Sequence, residues 1–105
     1  MSQFWAYHNP NPRTRDEYPF LLEIQSDLLG DLKTTVVIPL TPSLGAVITP
    51  MARLNPMFNI NGKDYIGMMQ EIAGLERKYL GEPAADLTEY HADIIAAFDF
   101  LISGV

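Results

Sequence analysis

His8 and His91, the run Glu71, Glu76, Arg77 and Lys78, and the acids Asp86, Glu89, Asp93 and Asp99 are the side chains with which this chain could do chemistry. A histidine can act as general acid or base near neutral pH, and paired carboxylates can do so when their environments differ. Both uses need partners at close range. The two histidines lie far apart in sequence with no ligand-like spacing, which fits surface or capping roles. Glu71 and Glu76 fall with Arg77 and Lys78 in a charged turn and read as a solvated cluster. The acids from Asp86 to Asp99 lie on or beside a helix and read as its polar face. The chain has no cysteine, which excludes thiolate nucleophiles, disulfides and zinc–cysteine sites. It has no glycine-rich phosphate loop either. No catalytic set, metal site or cofactor motif assembles, so the residues point to a binding protein more than an enzyme.

Composition narrows the partners. The formal charge is −6, with only seven Lys and Arg scattered among 105 residues. A protein that grips DNA or RNA directly shows a basic face, so nucleic acid is expected only through a basic partner. The densest basic spot is Arg13 and Arg15, in the proline-rich stretch HNPNPRTRDEYP. No stretch approaches the ~20 apolar residues of a membrane span, and MSQFWAYHNP is not a signal peptide. A cytoplasmic protein without membrane contact is expected, folded as one domain over residues 1–105.

The elements that must position these residues are mostly strands. QFWAY (Gln3 to Tyr7) is short, aromatic and β-prone, and His8 to Pro19 is a loop. FLLEIQ (Phe20 to Gln25) alternates, with Phe20, Leu22 and Ile24 on one face and Leu21, Glu23 and Gln25 on the other. The chain turns through Gly30 into TVVIPL (Thr35 to Leu40), a buried strand whose Pro39 belongs at an end or a bulge. TPSLGAVITPMARLNP is an irregular connection. In MFNINGKDYIGMM (Met57 to Met69), Asn61-Gly62 is the preferred pair for a type I′ hairpin turn. A last short strand is expected around Tyr79 and Leu80. Met51, Met57, Met68 and Met69 read as core.

Thr88 is a plausible N-cap for a helix on which Ile94, Ile95, Phe98, Leu101, Ile102 and Val105 form an apolar stripe, with Gly104 placed to end it. The expectation is a small antiparallel barrel or twisted sheet followed by one packed helix. A single helix face cannot cover its own sheet and also shield Leu101 and Val105, so a homodimer is expected.

The ordered set LEIQSDLL (Leu22 to Leu29), VVIPLTP (Val36 to Pro42), the Asn-Gly hairpin and GEPAADLTEYHADIIAAFDFLISGV resembles the CcdB family of toxin–antitoxin toxins over essentially the whole chain. That resemblance implies a mainly β fold with a C-terminal α-helix, an SH3-like barrel of the CcdB/MazF type. It implies a homodimer that binds the A subunit of DNA gyrase and traps cleaved DNA. It also implies a CcdA-like antitoxin that removes the toxin and joins it in repressing their operon, the antitoxin supplying the DNA contact. The family's gyrase-contacting positions correspond here to Leu28, Leu29, Asp99, Ile102, Ser103, Gly104 and Val105.

His8, Arg13 and Arg15 are expected on the antitoxin-facing surface, where the arginines could pair with acidic side chains of a flexible segment. Two departures stand out. Ser103 occupies the position of a family Trp, a residue type that makes strong interface anchors. The stretch Gln70 to Gly81 is more charged and one residue shorter. Ser103 keeps open a non-toxic relative that only binds antitoxin, and the fold class keeps open an mRNA-cleaving ribonuclease.

Overall fold

A computed structural model describes residues 2–44 and 50–104. Within them the strands are β1 (Trp5–His8), β2 (Phe20–Glu23), β3 (Thr34–Pro42), β4 (Met57–Ile60), β5 (Lys63–Gly67), β6 (Ala73–Glu76) and β7 (Pro83–Asp86), followed by helix α1 (His91–Ser103). All pairings are antiparallel, in the order β4-β5-β3-β2-β1-β7, with β6 also on β3. The sheet curls into a half-barrel and α1 packs on its concave side, the arrangement expected for this sequence.

β3 organises the sheet because it has two partners along one edge. Thr34 to Val37 pair with β6, and Leu40 to Pro42 pair with β5. Pro39 falls between these segments, inside the strand rather than at its end or in a bulge. Its missing N–H faces the side where β6 has stopped and β5 has not begun, so no ladder bond is lost. Its carbonyl accepts from the Met68 N–H at 3.0 Å.

The hairpin forms as expected. Asn61 and Gly62 have φ of 53° and 84°, the two left-handed residues of a type I′ turn, and Phe58 sits opposite Tyr65. Alternation on β2 holds for Phe20 and Leu22, which enter the core with Ile38, Leu40, Phe58 and Ile94. β1 starts two residues later than the sequence suggests. Phe4 adopts φ 67°, strained for a bulky side chain, while its N–H donates to the Glu23 carbonyl (2.7 Å) and its carbonyl accepts from Leu87 N–H (2.9 Å).

The expected strand at Tyr79 and Leu80 is absent. Arg77–Tyr79 is a 3-10 turn, and strands lie on either side of it. The chain passes so near β1 there that a Cβ on Gly81 would lie 2.5 Å from the His8 carbonyl oxygen, which only glycine tolerates. The methionines divide: Met68 and Met69 are core, while Met51 and Met57 are exposed.

Thr88 opens a 3-10 turn, Thr88–Tyr90, and α1 begins at His91. The Thr88 hydroxyl and N–H both donate to Asp86 Oδ1, so Asp86 is the capping side chain, and these bonds hold its carboxyl below its ordinary pKa. Gly104 ends α1 in the left-handed region at φ 73°, its N–H donating to the Phe100 carbonyl at 2.9 Å. The apolar stripe splits. Ile94 and Ala97 are buried, Phe98 and Leu101 pack against the core, and Ile95 and Ile102 face outward. Leu101 is half-buried against the core of its own chain.

Candidate functional site

One surface is apolar and built from two elements. After β2, the turn Asp27–Leu29 is set by Ser26, whose hydroxyl accepts from the Leu28 N–H at 3.1 Å. Leu28 is 94% exposed and Leu29 47%. This turn meets the outer face of α1 across a groove of about 360 Å³, lined by Phe4, Ile24, Leu29, Val36, Ile95 and Phe98. Ile102 continues the helix face one turn beyond Phe98 and is 66% exposed. Sequence comparison selected Leu28, Leu29 and Ile102. It missed Ile95 and Phe98, although their i, i+3, i+7 spacing with Ile102 marks them on one face.

The other tip residues divide. Ser103 is exposed and its hydroxyl bonds back to the Asp99 carbonyl at 2.6 Å, capping the last turn. Asp99 lines a different groove, with Pro50, Arg53 and Met57, and stands one helical turn from Ile95 at the border of the two faces. Gly104 is exposed. Val105 lies outside the described residues.

A second surface surrounds residues 9–18. Asn9 is buried and its amide donates to Thr14 Oγ1 (3.0 Å) and the Tyr18 carbonyl (2.8 Å), while its Oδ1 accepts from Asn11 N–H (3.0 Å). Asn11 Oδ1 in turn accepts from Arg13 N–H at 2.9 Å. The loop is therefore held by its own asparagines. It forms one wall of a groove of about 740 Å³ whose floor is Leu21, Val37 and Pro39 and whose far wall carries Glu71, Lys78 and Tyr79. Tyr18 lines it, and partial burial, with Glu17 beside it, raises the phenol pKa. His8, Arg13 and Arg15 are exposed, and none of the three lines the groove. The His8 ring packs 5.3 Å from that of Phe20. His91 Nδ1 lies 3.1 Å from the Thr88 carbonyl at the helix start.

The supposed solvated cluster is only half so. Glu76 and Lys78 form an exposed pair at 3.3 Å. Arg77 instead turns inward to the buried Glu23 at 2.8 Å. Among the described residues no group of three His, Cys, Asp or Glu is placed to hold a metal ion. No described helix is long and apolar enough to cross a membrane.

A curled antiparallel half-barrel closed by one C-terminal helix is the architecture of the small-barrel toxins. A solved structure from Mycobacterial species, an endoribonuclease in complex with its cognate antitoxin, has this fold. It matches with TM-score 0.75 at 12% identity, over 97% of this chain and 94% of that one. At that identity the likeness speaks for the fold alone. The family model for CcdB protein matches residues 3–104, and the chain belongs to the CcdB family of toxin–antitoxin toxins. A search of curated proteins gives no match.

Proposed function

We propose that the protein poisons DNA gyrase by binding its A subunit, and that a CcdA-like antitoxin neutralises it. The observation that carries this reading is the apolar tip. In this family member Leu28, Leu29, Ile95 and Ile102 are exposed, Leu29 and Ile95 line one groove, and Ile102 follows Ile95 along the helix face. Exposed apolar side chains that cluster mark a protein-binding surface. A non-enzymatic toxin needs such a surface and no catalytic set. Deleting Ser103, Gly104 and Val105, which the family resemblance assigns to the gyrase contact, should abolish poisoning while leaving the fold and antitoxin binding intact. The protein acts as a homodimer in the bacterial cytoplasm, and sedimentation equilibrium at micromolar concentration checks the dimer.

The antitoxin side is the groove beside residues 9–18, which suits an extended segment, with Arg13 and Arg15, exposed on the loop that forms one wall, as charge partners. DNA is reached through the antitoxin, in keeping with the net charge of −6. The test of the main reading is plasmid linearisation by purified gyrase with the protein present. Linear plasmid released by denaturation is the expected product, and its absence at micromolar protein overturns the reading.

The structural likeness to an endoribonuclease–antitoxin complex favours a second reading, RNA cleavage. A purified-RNA cleavage assay separates the two. A protein that does neither yet binds antitoxin is a non-toxic relative.

A further inference from the structure

Arg77 reaches three carbonyl or carboxylate groups far from it in sequence. Its side chain is 15% exposed. Nη1 donates to Glu23 Oε2 at 2.8 Å, Nε to the Leu32 carbonyl at 2.8 Å, and Nη2 to the Leu29 carbonyl at 3.3 Å. Its backbone N–H donates to the Lys33 carbonyl at 2.8 Å. Glu23 is 2% exposed, and the same Oε2 accepts from the Thr35 hydroxyl at 2.6 Å. Glu23 Oε1 has no hydrogen-bond partner among the described residues, so Arg77 is the main compensation for a buried charge. The opposite end of the same segment is held by Asp27, whose Oδ1 accepts from Gln3 N–H at 2.7 Å. Between these two grips project Leu28, Leu29 and Leu32, the last 50% exposed.

We propose that Arg77, anchored on Glu23, is a positioning residue that preorganises Leu28, Leu29 and Leu32 as a platform for the protein partner. The partner's identity, the gyrase A subunit, rests on the reading above. Leucines on a loose loop would lose conformational freedom on binding, whereas a fixed platform has lost it already. The fork geometry matters more than the charge. A guanidinium can bond a carboxylate and two carbonyls at once in a fixed plane, and an ammonium cannot.

The test is Arg77→Lys in the full chain, which keeps the charge beside Glu23 and removes the fork. Amide hydrogen exchange should speed up about tenfold for Leu28 to Lys33, a locally opened unit, and stay unchanged for Leu22, Ile38 and Leu40. Affinity for the A subunit should fall about tenfold while antitoxin affinity holds within about twofold. Unchanged exchange in the segment overturns the proposal, and so does faster exchange with unchanged A-subunit affinity. If wild-type protein does not bind the A subunit, the gyrase reading fails and the exchange comparison alone supports or overturns the anchoring. Should the lysine variant not fold, Glu23→Gln with Arg77→Gln removes both buried charges and the fork together, and the same comparison applies.

Discussion

The chain enters β2 through residues 9–19 and leaves it through residues 24–33, and the two connections are held differently. The first is closed by its own side chains, Asn9 and Asn11, each bonding within the loop itself. The second has one local cap, Ser26, and takes its further support from Gln3 and Arg77, the latter 48 positions from Leu29. A locally closed loop keeps its shape wherever its ends are held. A loop braced from outside keeps its shape only while the brace is folded beside it. The loop wall of the proposed antitoxin groove thus holds its own shape, although the floor and far wall come from the sheet and its turns. The leucine turn of the proposed gyrase surface is instead braced from the finished sheet.

The comparison breaks most severely at Arg77. Arg77→Ala leaves Glu23 buried and unpaired, and should lower unfolding stability by about 3–5 kcal/mol, read by chemical denaturation. Asn9→Ala removes a buried amide and strands the Tyr18 carbonyl. It should cost about 1–3 kcal/mol in the same measurement and weaken antitoxin binding while gyrase poisoning persists. Ser26→Ala deletes the hydroxyl that caps the turn before Leu28, a loss of about 1 kcal/mol with weaker poisoning.

The smallest stability effects carry the sharpest division of function. Leu28→Asp and the pair Arg13→Ala with Arg15→Ala should each move stability by no more than about 0.5 kcal/mol. The first should abolish plasmid linearisation and spare antitoxin affinity. The second should raise the antitoxin dissociation constant and spare linearisation. A crossed result would reverse the assignment of the two surfaces.

Legibility followed the range of the interaction. The Asn61-Gly62 turn, the alternation at Phe20 and Leu22 and the Gly104 helix stop all depend on neighbours in sequence, and all were readable. Arg77 reads from sequence as a solvated charge because its partner Glu23 lies 54 positions away and nothing nearby announces it. Pro39 looked misplaced within a strand because the change of partner from β6 to β5 is a property of the whole sheet. The Tyr79–Leu80 region failed for a related reason. Its path is dictated by the close approach of Gly81 to His8, a contact no local pattern contains. Within the candidate site, exposed Leu28 and Ile102 came from family resemblance. Their neighbours Ile95 and Phe98 were on the periodic stripe, but periodicity alone does not say which edge of a stripe turns to solvent.

The pairing of β1 with β7, Trp5 opposite Asp86, has a consequence for when the protein becomes itself. Contacts between distant parts of a chain form late, because loop closure must precede the gain, and folds dominated by them take on the order of milliseconds to seconds. On the ribosome, at about 5–20 residues per second, β1 must wait several seconds for its partner to be made. Until synthesis has passed Asp86, one edge of β1 stays open and α1 has no finished sheet to cover. A partner that recognises the braced platform therefore meets only chains extended past that point, while a nascent chain offers bare strand edges to whatever chaperone reaches it first.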